Sequence, residues 1–198
     1  MNIAEEIRKI KQELRLSMNG VASAFMRENG LNYKLNFGVE IPRLQSIASE
    51  FQPNHELAQA LWKENIRECK ILAGMLQPVD SFYPEIAEIW IEGMPTAEIA
   101  QLTVMNLFQK LPYASEKAFQ WIAREEEMFQ LCGYLLLARL FMKGEPLNER
   151  AENEFLDQAG ATIAYAEGTL KKAIVNALLK YEEINKQRTQ EIENMLLQ

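Results

Sequence analysis

Apolar residues in this chain recur at helical spacing rather than in alternation, so nearly every segment reads as helix and no convincing strand emerges. Helices are expected over Ile3–Leu16, from a Ser17 cap to Glu28, and over about Pro42–Ser49. A helix starting at Pro53-Asn54 ends at Trp62, and others cover Ile66–Leu76, Thr96–Phe108, Met128–Phe141, Asn148–Asp157 and Glu167–Tyr181. Asn29-Gly30 terminates the second helix, and Gly38 and Pro42 mark a loop. Pro78, Pro84, Pro95, Pro112 and Pro146 fall at helix starts or connectors, where a missing N–H does least harm. Asn65, Thr96 and Ser115 are candidate N-caps, with Glu68 standing three residues after Asn65 as in a capping box. Gly20, Gly30, Gly93, Gly144 and Gly160 read as punctuation. The polar tail after Glu182 is a capping helix or frayed.

The helices come in pairs. Trp62, Trp90 and Trp121 are the chain's three tryptophans, spaced by about 30 residues, a period that signals stacked repeats. Each closes an apolar helix, which a short polar connector joins to a second one. A lone helix pair cannot bury its own apolar face, whereas stacked pairs can. The expected fold is therefore all-α, a right-handed α-α superhelix of HEAT- or ARM-like repeats. It is read as one domain over 1–198, with capping helices over 1–50, stacked pairs over 51–181 and the tail over 182–198. The tryptophans are read as wedges between repeats rather than as ligand contacts.

Composition changes this picture little. The 198 residues are 48 % hydrophobic and 25 % charged, values of a soluble globular protein. Apolar runs such as Gly133–Leu137 are too short to span a bilayer, and the acidic, amphipathic N-terminus argues against a secretion signal. Cys69 and Cys132 lie in apolar helical segments, which favours buried thiols in a reducing cytoplasm over a disulfide. A net charge of −7 argues mildly against a nucleic-acid partner, yet a basic groove can sit on an acidic body. The one histidine, His55, has no metal-ligand cluster around it. Glu125-Glu126-Glu127 sits in a connector beside a helix start, where it suits the helix dipole and solvent. No catalytic residue, cofactor or metal is expected from these patterns.

Two stretches go beyond generic helices. Phe37-Gly38-Val39-Glu40-Ile41-Pro42-Arg43-Leu44-Gln45-Ser46-Ile47-Ala48 is followed by the segment Leu57–Ala73, which contains Ala58-Gln59-Ala60-Leu61-Trp62 and then Arg67-Glu68-Cys69-Lys70-Ile71-Leu72-Ala73. Order and spacing resemble the AlkD-like DNA alkylation repair family over about residues 20–181. The resemblance implies a HEAT-like solenoid whose concave face grips duplex DNA. It also implies excision of cationic alkylated purines such as 7-methylguanine and 3-methyladenine. In active members an aspartate opposes the oxocarbenium charge of the sugar, two tryptophans flank the lesion and an arginine holds the backbone. A cationic base is already a good leaving group, so the carboxylate supplies mainly electrostatic stabilisation.

Carried over residue by residue, this set is replaced. The first tryptophan's place is Ala97, the aspartate's is Gln101, the arginine's is Leu131 and the second tryptophan's is Asn176. Shifting the alignment by one helical turn puts Glu98 near the aspartate's place, but Glu98 alone does not restore the set. Glutamine lacks the charge that opposes an oxocarbenium ion, so absent or altered base excision is expected. For nucleic-acid binding the candidates are Arg67, Lys70, Glu98, Gln101, Lys171 and Lys172. The four cations sit early on second helices, which line the inner face of such a stack. The other reading of these cations is that they are solvated or paired along their helices. The partner is accordingly either duplex DNA in the concave groove or, with the scaffold kept and the partner changed, a protein. Neither a membrane nor a metal is expected as a partner.

Overall fold

A computed structural model of the protein describes residues 2–31 and 33–197. Among them lie twelve α-helices and three single-turn 3-10 helices, and the only β pairing is an isolated parallel bridge between Leu35 and Ile66. The helices group into two compact units, Met1–Leu107 and Phe108–Gln198.

The first unit holds α1 (Ile3–Leu16), α2 (Gly20–Glu28), α3 (Ile41–Ser49), α4 (His55–Lys63), α5 (Arg67–Leu76), α6 (Pro84–Glu92) and α7 (Ala97–Asn106). Helix α5 lies at its centre, packed against α3, α4 and α7, while α4 also meets α1. Nine of its ten residues are buried, so no polar stripe is left to face water. The tryptophan wedges are present: the Trp62 and Trp90 rings stack in parallel with centroids 4.1 Å apart. Phe82 meets Trp90 edge-on at 4.9 Å, and the Trp90 indole N–H donates to Gln59 Oε1 at 3.1 Å. Truncating a tryptophan buried like Trp90 to alanine costs roughly 3–5 kcal/mol.

Helix α2 begins later than expected. Asn19, not Ser17, caps it by accepting the Ala22 N–H at 3.0 Å, while Ser17 ends α1 and its hydroxyl accepts from Arg43 Nε at 2.9 Å. Only Ser23 of α2 is buried, whereas Val21 and Phe25 on its other side are 83 % and 65 % exposed. Gly38 sets how close α2 approaches the following loop. Its φ is +68°, and a Cβ there would lie 2.2 Å from the Asn19 carbonyl oxygen and 2.7 Å from the Ser23 nitrogen. No other residue fits that backbone-to-backbone contact.

The second unit holds α8 (Ala114–Ile122), α9 (Glu127–Met142), α10 (Glu149–Ile163), α11 (Gly168–Ile184) and α12 (Thr189–Leu196). Helix α9 packs on α8 and α11, and α11 packs also on α10 and α12. Gly133 lets α9 sit directly on α8, since a Cβ there would lie 2.9 Å from the Ala118 carbonyl. Helix α10 runs on through Gly160 to Ile163, past the stop expected at Asp157. Gly160 faces the Met195 side chain of α12, 3.6 Å from where a Cβ would stand, so tertiary packing outweighs the cost of a helical glycine. The tail is a helix, with Ile192 fully buried. Both cysteines are buried thiols, and burial first of all pushes Cys69 up to about 12, which makes it an inert thiol. Among the described residues no helix is long and apolar enough to cross a membrane.

Candidate nucleic-acid interface

Helix α5 opens with three charged residues, and the structure takes all three inside. The Arg67 N–H donates to the Leu35 carbonyl at 3.1 Å, which anchors the first turn beside the lone β-bridge and aims the side chain inward, 3 % exposed. Its guanidinium forms a fork on Glu98 of α7, with Nε to Oε2 at 2.9 Å and Nη2 to Oε1 at 2.6 Å. Nη1 reaches the Val39 carbonyl at 3.1 Å and Glu68 Oε1 at 3.2 Å. Glu68 in turn accepts the N–H groups of Phe37 and Val39 at 3.1 and 3.3 Å, tying the Gly38 loop to α5. The expected Asn65–Glu68 capping box is therefore absent: α5 has Ile66 at its N-cap with no capping side chain. Thr96 does cap α7, accepting the Ile99 N–H at 3.3 Å.

Glu98 has no oxygen to spare. Besides the guanidinium it accepts the Tyr33 hydroxyl at 2.5 Å, and that hydroxyl lies 2.6 Å from Thr96 Oγ1. Burial pushes the Glu98 carboxyl up, but hydrogen bonds from Arg67 and Tyr33, with the Arg67 charge, outweigh it and hold the group below the usual glutamate value. Burial, then the Glu98 hydrogen bond, pushes the Tyr33 phenol well up. Burial pulls Arg67 down, but the Glu98 hydrogen bond and the charges of Glu98 and Glu68 leave it above its ordinary value. Such a site favours the charged carboxylate and engages both of its oxygens.

Lys70, one turn along α5, is also inside at 7 % exposure. Its ammonium donates to the Trp62 carbonyl at 2.7 Å and stands 4.5 Å from the centre of the Trp62 ring. Burial lowers its pKa.

The expected phosphate-facing cations thus divide by burial. Arg67 and Lys70 are interior groups, and Arg67 has its donors spent on Glu98, Glu68 and Val39. Lys171 and Lys172, early on α11 in the second unit, are exposed. Gln101 is exposed on α7 and Ala97 half-buried. Leu131 is 3 % exposed within α9, and Asn176 of α11 faces solvent. Of the six candidates, the structure brings Arg67 and Glu98 into direct contact. Sequence reasoning missed Tyr33 and the bonding role of Glu68. The readable signal was α5 itself, whose three leading charges have no polar face to occupy. His55, the first residue of α4, has Nδ1 3.1 Å from Gln77 Nε2.

The family model described as DNA alkylation repair enzyme matches residues 10–192. No curated protein matches the chain. A solved structure described as "A new family of proteins related to the HEAT-like repeat DNA glycosylases with affinity for branched DNA structures" superposes with a TM-score of 0.82 at 19% identity, covering 95% of this chain and 80% of that one. The all-helical repeat architecture expected from the hydrophobic pattern is the architecture of that neighbour.

Proposed function

This chain belongs to the DNA alkylation repair enzyme family, and on that premise we propose that it binds nucleic acid while base excision is absent or altered in it. The observation that carries the binding half is the extent of the family match, which runs through residues 10–192. The affinity for branched DNA named for the neighbour of known structure directs attention to junctions as well as duplexes.

The chemical half rests on what stands near the aspartate's place. Gln101 is neutral, and Glu98, one turn earlier, has both oxygens engaged by Arg67 and Tyr33. A carboxylate whose charge is shared with a guanidinium opposes an oxocarbenium ion less than a free one does. Removing one such electrostatic partner costs on the order of 10²–10³ in rate. Loss of the two flanking tryptophans, replaced at Ala97 and Asn176, adds to it.

A protein-binding scaffold is the second reading, favoured by the net charge of −7 and by the burial of Arg67 and Lys70. One pair of assays separates the two. Binding of duplex and four-way-junction DNA is measured from low to moderate salt, and base release is measured on duplexes carrying 7-methylguanine. Salt-dependent binding without release is the expected result. No binding at low salt to either DNA sinks the nucleic-acid reading, and rapid release of 7-methylguanine sinks the claim of lost chemistry.

A further inference from the structure

Lys70 is a buried cation without a buried anion to match it. Among the described residues it forms no ion pair; its partners are the Trp62 carbonyl and the Trp62 ring. The neighbouring carboxylates are spoken for: Glu68 by Arg67 and two backbone N–H groups, Glu98 by Arg67 and Tyr33, and Glu64 by Lys11 at 2.7 Å. Buried charges in proteins are paired as a rule, because an unpaired one forfeits its hydration without return. An ammonium has three donors, and the protein's hydrogen bonds to this one use a single acceptor.

The ammonium's surroundings indicate what completes it. Lys70 lines a small pocket of about 90 Å³ together with Tyr33, Lys34, Asn65, Ile66, Gly93 and Pro95. A water needs roughly 10–15 Å³ of such space, so the pocket has room for a tetrahedral oxyanion. Two polar side chains of the wall besides Lys70 suit an anion. Lys34 is an exposed second cation, and Asn65 contributes an amide. The Tyr33 hydroxyl already points its proton at Glu98, so that ring serves as wall.

We propose that this pocket receives one phosphate of a bound nucleic-acid strand, with Lys70 and Lys34 as its two cations. The proposal rests on the nucleic-acid reading above and adds to it a specific seat for the backbone. Lys70 meets phosphate through the pocket, from inside the first unit, rather than as part of an exposed basic stripe.

Gly93 supplies the sharpest test. Its φ is −91°, and a Cβ there would meet its nearest atoms at 3.5 to 3.7 Å, one of them Trp62 Nε1, so Gly93→Asp fits without strain and adds a carboxylate at a residue of the pocket wall. The thermal midpoint of the full chain is measured in phosphate and in chloride at equal ionic strength, for the native sequence, Gly93→Asp, Lys34→Gln and Lys70→Met. Phosphate stabilises the native chain as a ligand of the folded state, less so Lys34→Gln, and not Gly93→Asp or Lys70→Met. The same variants are then titrated with duplex DNA across a salt series. The slope of log affinity on log salt becomes shallower by about one in Gly93→Asp, the signature of one lost phosphate contact. Absence of phosphate stabilisation in the native chain, or its survival in Gly93→Asp, overturns the pocket. Phosphate stabilisation with an unchanged DNA slope in Gly93→Asp overturns the strand as the source and leaves a free anion in its place. Native protein that binds phosphate but no DNA overturns the nucleic-acid reading and not the pocket.

Discussion

Two arginine–glutamate forks of like geometry stand in different surroundings in this protein. In the first unit Arg67 grips Glu98 through Nε at 2.9 Å and Nη2 at 2.6 Å, with the arginine 3 % exposed. In the second unit Arg124 grips Glu126 through the same two nitrogens at 3.0 and 2.6 Å, with side chains 38 % and 56 % exposed. Geometry alone does not distinguish them. Surroundings do: the buried fork is enclosed by Glu68, Tyr33, Val39 and Thr96, whereas the exposed one stands in a connector open to solvent. The Arg124 hydrogen bonds, then backbone N–H groups, hold the Glu126 carboxyl down at about 2, yet water and salt screen that attraction and leave little of it as stability. The lesson is that fork geometry and a depressed carboxyl do not measure what a pair contributes; burial and the partners stranded by its loss do.

The contrast can be broken or sharpened by experiment. The largest effect is expected from Arg67→Met, which strands Glu68 fully buried and Glu98 half-buried. Removing one partner of a buried ion pair costs about 3–5 kcal/mol, read as a lower midpoint in urea unfolding. A loss below 1 kcal/mol would mean that water enters the site freely. Next comes Gly133→Ala, a packing control in the uncharged α8–α9 contact: with a Cβ 2.9 Å from two backbone atoms, overpacking costs about 1–3 kcal/mol, and high salt leaves that cost unchanged.

The third effect is a pH dependence. Because Glu98 titrates below its unfolded value, the unfolded chain binds the proton first on acidification. The stability due to this group is complete above the unfolded glutamate value of about 4.3 and is lost as pH falls from there through the folded value. Glu98→Gln removes that part of the acid loss, seen as a flatter midpoint-against-pH curve, and an unaltered curve counts against the fork as its source. The smallest effect is Glu126→Gln, whose thermal midpoint at neutral pH and physiological salt stays within experimental error of the native chain. A clear drop there would erase the distinction between the two forks.

Helix identity was legible because it depends on neighbours a few residues away. Thr96 caps α7 as its position before an apolar run implies, and Pro42 sits in the first turn of α3. Features that failed depend on distant partners. The capping box at Asn65 and Glu68 is the right spacing in the wrong register, because the Arg67 N–H is taken by Leu35 and α5 starts one residue later than Ile66. Gly160 reads as a stop until Met195 is folded against it. The candidate site was legible as residue types, charges early on α5 and α7, but not as a network. Arg67 and Glu98 lie 31 positions apart, and Tyr33 lies 65 from Glu98; the repeat period places helices side by side but does not say which of their side chains bond. Nor does sequence tell an exposed lysine from an interior one, which is why Lys70 and Lys171 looked alike.

Helix α2 gives the core a single buried residue, Ser23. What holds it is polar and local: the Asn19 N–H on the Phe37 carbonyl, the Ser23 hydroxyl on the Asn36 carbonyl, and the close backbone seat at Gly38. Detaching α2 therefore uncovers only partly buried apolar groups, Ala22, Ala24 and Met26, while detaching α5 dismantles the centre of its unit. Native-state hydrogen exchange is expected to separate the two helices, with α2 opening in excursions short of global unfolding and α5 only when the whole unit melts.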